Sequence, residues 1–265
     1  MAFLDAGGEG RFLAPLNRHF GDTPVSVISQ ADLDAAALAL YPNGTPSTRN
    51  RQVYAPFIAI MRHNHVQQSY HRPKGAAGNK FTHYLEPEDA FALLDQAWKI
   101  DAEIAIVLTL ALYTGMRLGE VLGLKCANVN LAESRAFLGK TKNGDPRTVH
   151  LPRAAIAALE KHPKGLTGRD AVFRRWQSTR KTFYPKVHLA YHRAGVDHHG
   201  EPVHILRHTF ASWMRRYADA DSRDLLDTGA WRGAASVARY THTVITEAAK
   251  LADLLPTRRN GGDGA

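Results

Sequence analysis

Apolar residues return every three or four positions through most of the chain, the period of helices that bury one face. In "EGRFLAPLNRHF" (9–20), Phe12, Leu13, Leu16 and Phe20 fall on one side. "SQADLDAAALALY" follows, with Ser29 placed to cap a run of good helix formers. The turn-rich "PNGTPS" then breaks the pattern. "STRNRQVYAPFIAIMRHN" predicts a longer helix with Val53, Phe57, Ile60 and Met61 inward, bent or shifted near Pro56. "HRPKGAAGNK" (71–80) carries almost no apolar residue and predicts a linker.

Beyond it the pattern starts again in a second, larger unit. "EPEDAFALLDQAW" has Pro87 and acidic residues where a helix start favours them. "DAEIAIVLTLALYTG" is apolar on nearly every side, which predicts a buried helix stopped by Gly115. "SRAFLGKTKNGDPRTVHLP" switches to a two-residue period around Asn143-Gly144, the signature of a hairpin. From Pro152 the pattern is again mainly helical, at about 152–162, 178–194, 204–218, 222–228, 234–240 and 243–254, before a polar tail expected to be disordered.

Composition narrows the function classes. The chain of 265 residues carries a formal charge of +9, with eight basic against five acidic residues in 1–80 and 26 against 20 in the rest. Both parts are basic, which suits a polyanionic partner without identifying one. The longest apolar run, 104–113, is too short to span a bilayer, and "MAFLDAGGEGR" lacks the pattern of a secretion signal. Cys126 is the only cysteine, which excludes an internal disulfide and a cysteine-only metal site and fits a cytoplasmic protein.

Several short stretches carry chemistry. In "YTGMRLGEVLGL", Arg117 follows a helix-ending glycine and Glu120 lies three residues on, within reach of an ion pair. In "HILRHTFASWM", His204, Arg207 and His208 share a helical face that could grip a phosphate through a guanidinium fork and imidazole donors. The same face does not read as a zinc site, because Ile205 stands where a metalloprotease helix has glutamate and Arg207 would repel a cation. The hairpin offers Lys140 and Lys142, Trp231 precedes Tyr240 by nine residues, and Arg49, Asn50 and Arg51 read either as a solvated basic face or as phosphate contacts.

Together, Arg117 in "TGMRLGE", the "HILRHTFAS" stretch and Tyr240 in "VARYTH" resemble the tyrosine recombinase, or phage integrase, family over roughly residues 10–255. The resemblance implies a mainly α fold: a helical core-binding domain over 1–74, a linker at 75–80, and a mostly helical catalytic domain with a small β-sheet over 81–255, followed by the tail 256–265. It implies Tyr240 as nucleophile on a DNA phosphate, giving a 3′-phosphotyrosyl link. Arg117 and Arg207 would hold the non-bridging oxygens. Lys142, favoured over Lys140, would be the general acid. His204 would assist proton transfer at the tyrosine, Trp231 would donate its indole N–H, and Glu120 and His208 would support the site. No metal, cofactor or ATP is expected, since the covalent link conserves the phosphodiester energy.

The implied partners are double-stranded DNA and further copies of the chain, a tetramer at synapsis joined through the helix at 243–254. The same segment also reads as packing on its own domain. A location in the cytoplasm, on the nucleoid when DNA is bound, follows from this partner. Three departures are visible: Asp145 stands where relatives often carry another lysine, which favours Lys142; "TGAWRGAAS" replaces the commoner "GHSS" wording; and the chain begins almost at the core-binding domain, so no arm-site domain is expected. The alternatives are a type IB topoisomerase, which shares the chemistry, and a DNA-binding excision or regulatory protein without catalysis.

Overall fold

A computed structural model describes residues 2–78, 83–139, 146–168, 170–176, 181–231, 233–238 and 240. Two units emerge, Met1–Phe81 and Thr82–Ala265. The first is all-helical among the described residues: α1 (Ala2–Asp5), α2 (Leu13–Phe20), α3 (Gln30–Leu40), α4 (Pro46–Arg49) and α5 (Ala55–His63). Ser29 caps α3 by accepting from the Asp32 N–H, and Asp32 returns the bond to the Ser29 N–H at 2.9 Å. Leu16, Leu33, Val53, Phe57 and Met61 form the core with Ile28, Ala37, Tyr54 and Ile58. Ile60 is only partly buried against it, and α2 starts at Leu13 rather than at Glu9.

Pro56 explains the shift anticipated in the long helix. Proline has no N–H, and its ring would clash with the carbonyl four residues back. The chain takes a π-helical turn over Asn50–Tyr54, closed by the Ala55 N–H to the Asn50 carbonyl, immediately before the proline. The helix therefore continues through Pro56 into α5 with one wider turn. Tyr54 donates to Asp34 at 2.6 Å, and burial, aided by Asp34, pushes its phenol up to about 12.

The second unit is built on α7 (Ala102–Thr114), in which eleven of thirteen residues are buried. Asp101 caps it by accepting from the Glu103 N–H at 3.0 Å, and is itself held by Arg175 and Lys186. Around α7 pack α6 (Pro87–Ile100), α9 (Arg153–Glu160), α10 (Phe183–Ala194) and α11 (His204–Tyr217). Short helices α8 (Leu118–Leu122), α12 (Ser222–Asp227) and α13 (Ala234–Val237) carry the chain past the end of α7 and α11.

The sheet has three antiparallel strands in sequence order, β1 (Val129–Asn130), β2 (Arg135–Leu138) and β3 (Arg147–His150). The hairpin register pairs Arg135 with His150 and Leu138 with Arg147, which buries Ala136, Leu138 and Val149 on one face. The expected Asn143-Gly144 turn lies outside the described residues, and β1 was not signalled because two residues show no periodicity. Helix α13 ends at Val237, earlier than the period suggests, and the stretch 243–254 lies outside the described residues.

Candidate active site

Gly115 sets the site's geometry. It ends α7 with φ +61, and a Cβ there would meet the Phe210 ring at 2.5 Å, so only glycine fits both the left-handed backbone and the close approach of α11. The turn delivers Arg117 to the start of α8. Glu120 accepts from the Arg117 backbone N–H at 3.0 Å and from its Nη1 at 2.9 Å. Burial pushes the Glu120 carboxyl up, but the Arg117 N–H, the Arg147 charge and bonds from both guanidinium groups outweigh it and hold it below its usual value. The Arg117 side chain as a whole remains 44% exposed.

Arg207 rises from the first turns of α11 and is buried at 3% exposure. Its two terminal nitrogens donate to the carbonyls of Gly115 and Ala230, and its guanidinium lies 4.4 Å above the Trp231 ring. Burial, reinforced by the charge of Arg117, lowers it to about 10, so it stays charged at neutral pH in a place that disfavours the charge. Arg117, His204 and Arg207, with Tyr184 and Glu201, line a cavity of about 110 Å³. Its cationic side fits a small oxyanion.

Trp231 and Tyr240 are both buried in a cluster with Ala211, Leu225, Ala230 and Val237. Trp231 stacks parallel to Phe210 at 6.2 Å and stands edge-on to Tyr240 at 5.7 Å. The imidazole that meets the Tyr240 hydroxyl is that of His208, with Nδ1 2.7 Å away. His204, one turn earlier on α11, is exposed at the cavity and stands edge-on to His208 at 4.8 Å.

The structure thus gathers Arg117, Glu120, His204, Arg207, His208, Trp231 and Tyr240 around the end of α7 and the first turns of α11. Lys140 and Lys142 lie outside the described residues. Arg49, Asn50 and Arg51 belong to the first unit. Arg49 is committed to its own backbone, donating to the carbonyls of Tyr41 at 3.0 Å and Pro42 at 2.7 Å, and Asn50 donates to the Ala76 carbonyl. Arg51 is exposed. The sequence reading missed Arg147, which reaches both Glu120 at 3.1 Å and the Thr228 carbonyl at 3.0 Å. A signal existed: Arg147 shares the inward register of β3 with buried Val149, an unusual place for an arginine that lacks a partner.

Residues 83–246, more than half of the chain, match the model of the phage integrase family. The integrase of Escherichia phage P2 is 30% identical over 131 residues, 49% of this chain and 34% of that protein. Tyrosine recombinase XerD of Vibrio vulnificus is 31% identical over 148 residues, 52% of this chain and 45% of that protein. The match thus spans less than half the length of each. A solved structure of the XerH site-specific recombinase, bound to a palindromic difH substrate in a post-cleavage complex, shares the fold with a TM-score of 0.69. It is 19% identical, over 95% of this chain and 79% of that one. On the extent of the family match, with a fold to agree, the chain belongs to the phage integrase family, the tyrosine recombinases.

Proposed function

We propose that the chain breaks and rejoins duplex DNA by transesterification at a phosphodiester, with the second unit as catalytic domain and the first as a core-binding DNA-binding domain. The observation that carries this reading is the buried, charge-disfavoured Arg207 beside Arg117, next to a phenol already hydrogen-bonded to an imidazole. A cationic cavity of this kind gains most from a group that brings negative charge, and a phosphodiester in attack brings more as the reaction proceeds.

Tyr240 loses its proton to His208 Nδ1, and the phenolate oxygen bonds to phosphorus. The bond from phosphorus to the 5′-oxygen breaks, and Lys142 gives that oxygen its proton. The product is a 3′-phosphotyrosyl link and a free 5′-hydroxyl, and the reverse reaction with a new 5′-hydroxyl rejoins a strand without ATP. Arg117 and Arg207 bind the non-bridging oxygens, His204 faces the phosphate from the cavity rim, and Trp231 packs beneath Arg207 and offers its indole N–H. Copies of the chain assemble on DNA as a tetramer at synapsis through the segment 243–254. The protein works in the cytoplasm on nucleoid DNA.

The test is capture of a covalent adduct from a pool of nicked duplexes of random sequence, recovered after denaturation. Wild-type protein should retain DNA and Tyr240→Phe should retain none while keeping its fold and duplex affinity. Adduct formed by Tyr240→Phe would assign another nucleophile. Adduct with supercoil relaxation by isolated monomers would favour a topoisomerase. Binding with no adduct from wild-type protein would leave a DNA-binding protein without catalysis.

A further inference from the structure

The hydrogen bonds around the site close on themselves. Arg207 joins the Gly115 carbonyl to the Ala230 carbonyl. Two residues before Ala230, the Thr228 carbonyl accepts from Arg147 Nη1 at 3.0 Å, while Arg147 Nη2 donates to Glu120 Oε2 at 3.1 Å. Glu120 holds Arg117 through side chain and backbone, and Arg117 returns through Met116 to Gly115. Three segments distant in sequence, 115–120, 147 and 228–231, are thereby locked to α11 in one circuit.

From this circuit we infer that Arg147 is a positioning residue for the reaction: it fixes Arg117 and Trp231 relative to one another. The proposal rests on the recombinase reading above.

The local chemistry supports the assignment. The side chain of Arg147 is 13% exposed and that of Glu120 is 7% exposed, so the pair is largely shielded from water. Glu120 Oε2 already accepts from the Arg117 backbone, and Arg147 supplies the second donor to that oxygen. Without it, a buried carboxylate would have only Arg117 to satisfy it, drawing that guanidinium inward and away from the cavity. The other end of Arg147 shapes the turn before Trp231. Gly229 sits against its stem at φ +67, where a Cβ would lie 3.1 Å from Arg147 Cδ. Lysine carries its donors on one nitrogen and lacks the planar fork whose two nitrogens reach the Thr228 carbonyl and Glu120 separately.

The experiment uses full-length wild-type protein, Arg147→Met and Arg147→Lys, with a nicked duplex selected by covalent capture as probe. Single-turnover adduct formation at saturating duplex gives the rate constant, and its amplitude gives the fraction of competent protein. Arg147→Met should slow the rate constant about 100-fold, the scale of a small misplacement of reacting groups, with duplex affinity changed less than about threefold on the same grounds. Arg147→Lys should recover only part of the rate, since it keeps the charge but not the two-nitrogen fork.

An arginine that served stability alone would lower the amplitude and the melting temperature, leaving the rate constant of the competent fraction unchanged; that result overturns the proposal. Full recovery of rate by lysine would also overturn it, because the circuit would not need two acceptors bridged. Absence of adduct from wild-type protein would remove the recombinase reading and this inference with it. Adduct at the wild-type rate from Arg147→Met would remove this inference alone.

Discussion

Inorganic sulfate or phosphate should stabilise the second unit through Arg207, and Arg207→Gln should abolish that increment. Burial, with Arg117 adding repulsion, takes the guanidinium from 12.5 to about 10. At about 1.36 kcal/mol per pKa unit, this corresponds to about 3 kcal/mol of surroundings unfavourable to the charged form. A dianion in the cavity lined by Arg117, His204 and Arg207 offsets this cost, which makes about 3 kcal/mol the scale of the site-specific gain. A unit of this size shifts its melting temperature by about 2–4 °C per kcal/mol, so a gain on that scale should raise it by about 6–12 °C. The dependence on anion concentration should follow a single site.

The assay is thermal unfolding followed by tryptophan fluorescence. Trp98, Trp176, Trp213 and Trp231 all lie in the second unit, so its transition is read separately from that of the first. Sulfate also stabilises proteins without binding, by exclusion from their surface. The informative quantity is therefore the increment over chloride at equal ionic strength, compared between wild type and variant. The variant also loses its bonds to the Gly115 and Ala230 carbonyls, so absolute melting temperatures will differ and only increments are compared. Equal increments in the two proteins would refute an oxyanion ligand role for Arg207.

Glu120 should leave a mark on acid stability. Its folded carboxyl lies below the unfolded value of 4.5, so its contribution is fully present above that pH and lost as pH falls through the lower folded value. Urea midpoints measured from pH 7 down to pH 3 should therefore fall more steeply below about 4.5 in wild type than in Glu120→Gln, which cannot titrate there; parallel curves would contradict this. In the first unit, Arg49→Ala should cost about 0.5–1.5 kcal/mol by removing the bonds to the Tyr41 and Pro42 carbonyls, the first of which keeps the Gly44 N–H, read from a far-ultraviolet melt. Arg51→Ala should leave that melt unchanged and reduce the salt slope of duplex affinity by about one. An unchanged slope would make Arg51 a solvated surface residue.

What the sequence made legible and what it hid divide along a physical line. The Ser29 cap of α3, Gly115 after α7 and the inward face of Val53, Phe57 and Met61 are determined by neighbours within four residues, and local spacing reports them. Motif spacing likewise brought Arg117, Arg207, Trp231 and Tyr240 to notice, yet the family resemblance gave proton transfer at the tyrosine to His204 and left His208 a supporting role. Which imidazole meets the phenol depends on how the segment 231–240 packs against α11, a long-range contact across 32 positions, and the packing selects His208.

The partners of the buried arginines were hidden for a different reason. Arg207 and Arg147 end on the carbonyls of Gly115, Thr228 and Ala230, and a backbone acceptor has no side-chain signature to read. The same fact bears on function. Carbonyls satisfy a guanidinium's donors without neutralising its charge, so Arg207 keeps both its orientation and its demand for an anion, whereas a carboxylate in their place would have quenched the cavity before a phosphate arrived. Glu120 performs the opposite task beside it: it accepts from one guanidinium nitrogen of Arg117 and one of Arg147, while the Arg117 side chain as a whole stays 44% exposed. The proposed reaction, with two arginines held close together and a phosphate to attract, calls for this division between neutral and charged acceptors.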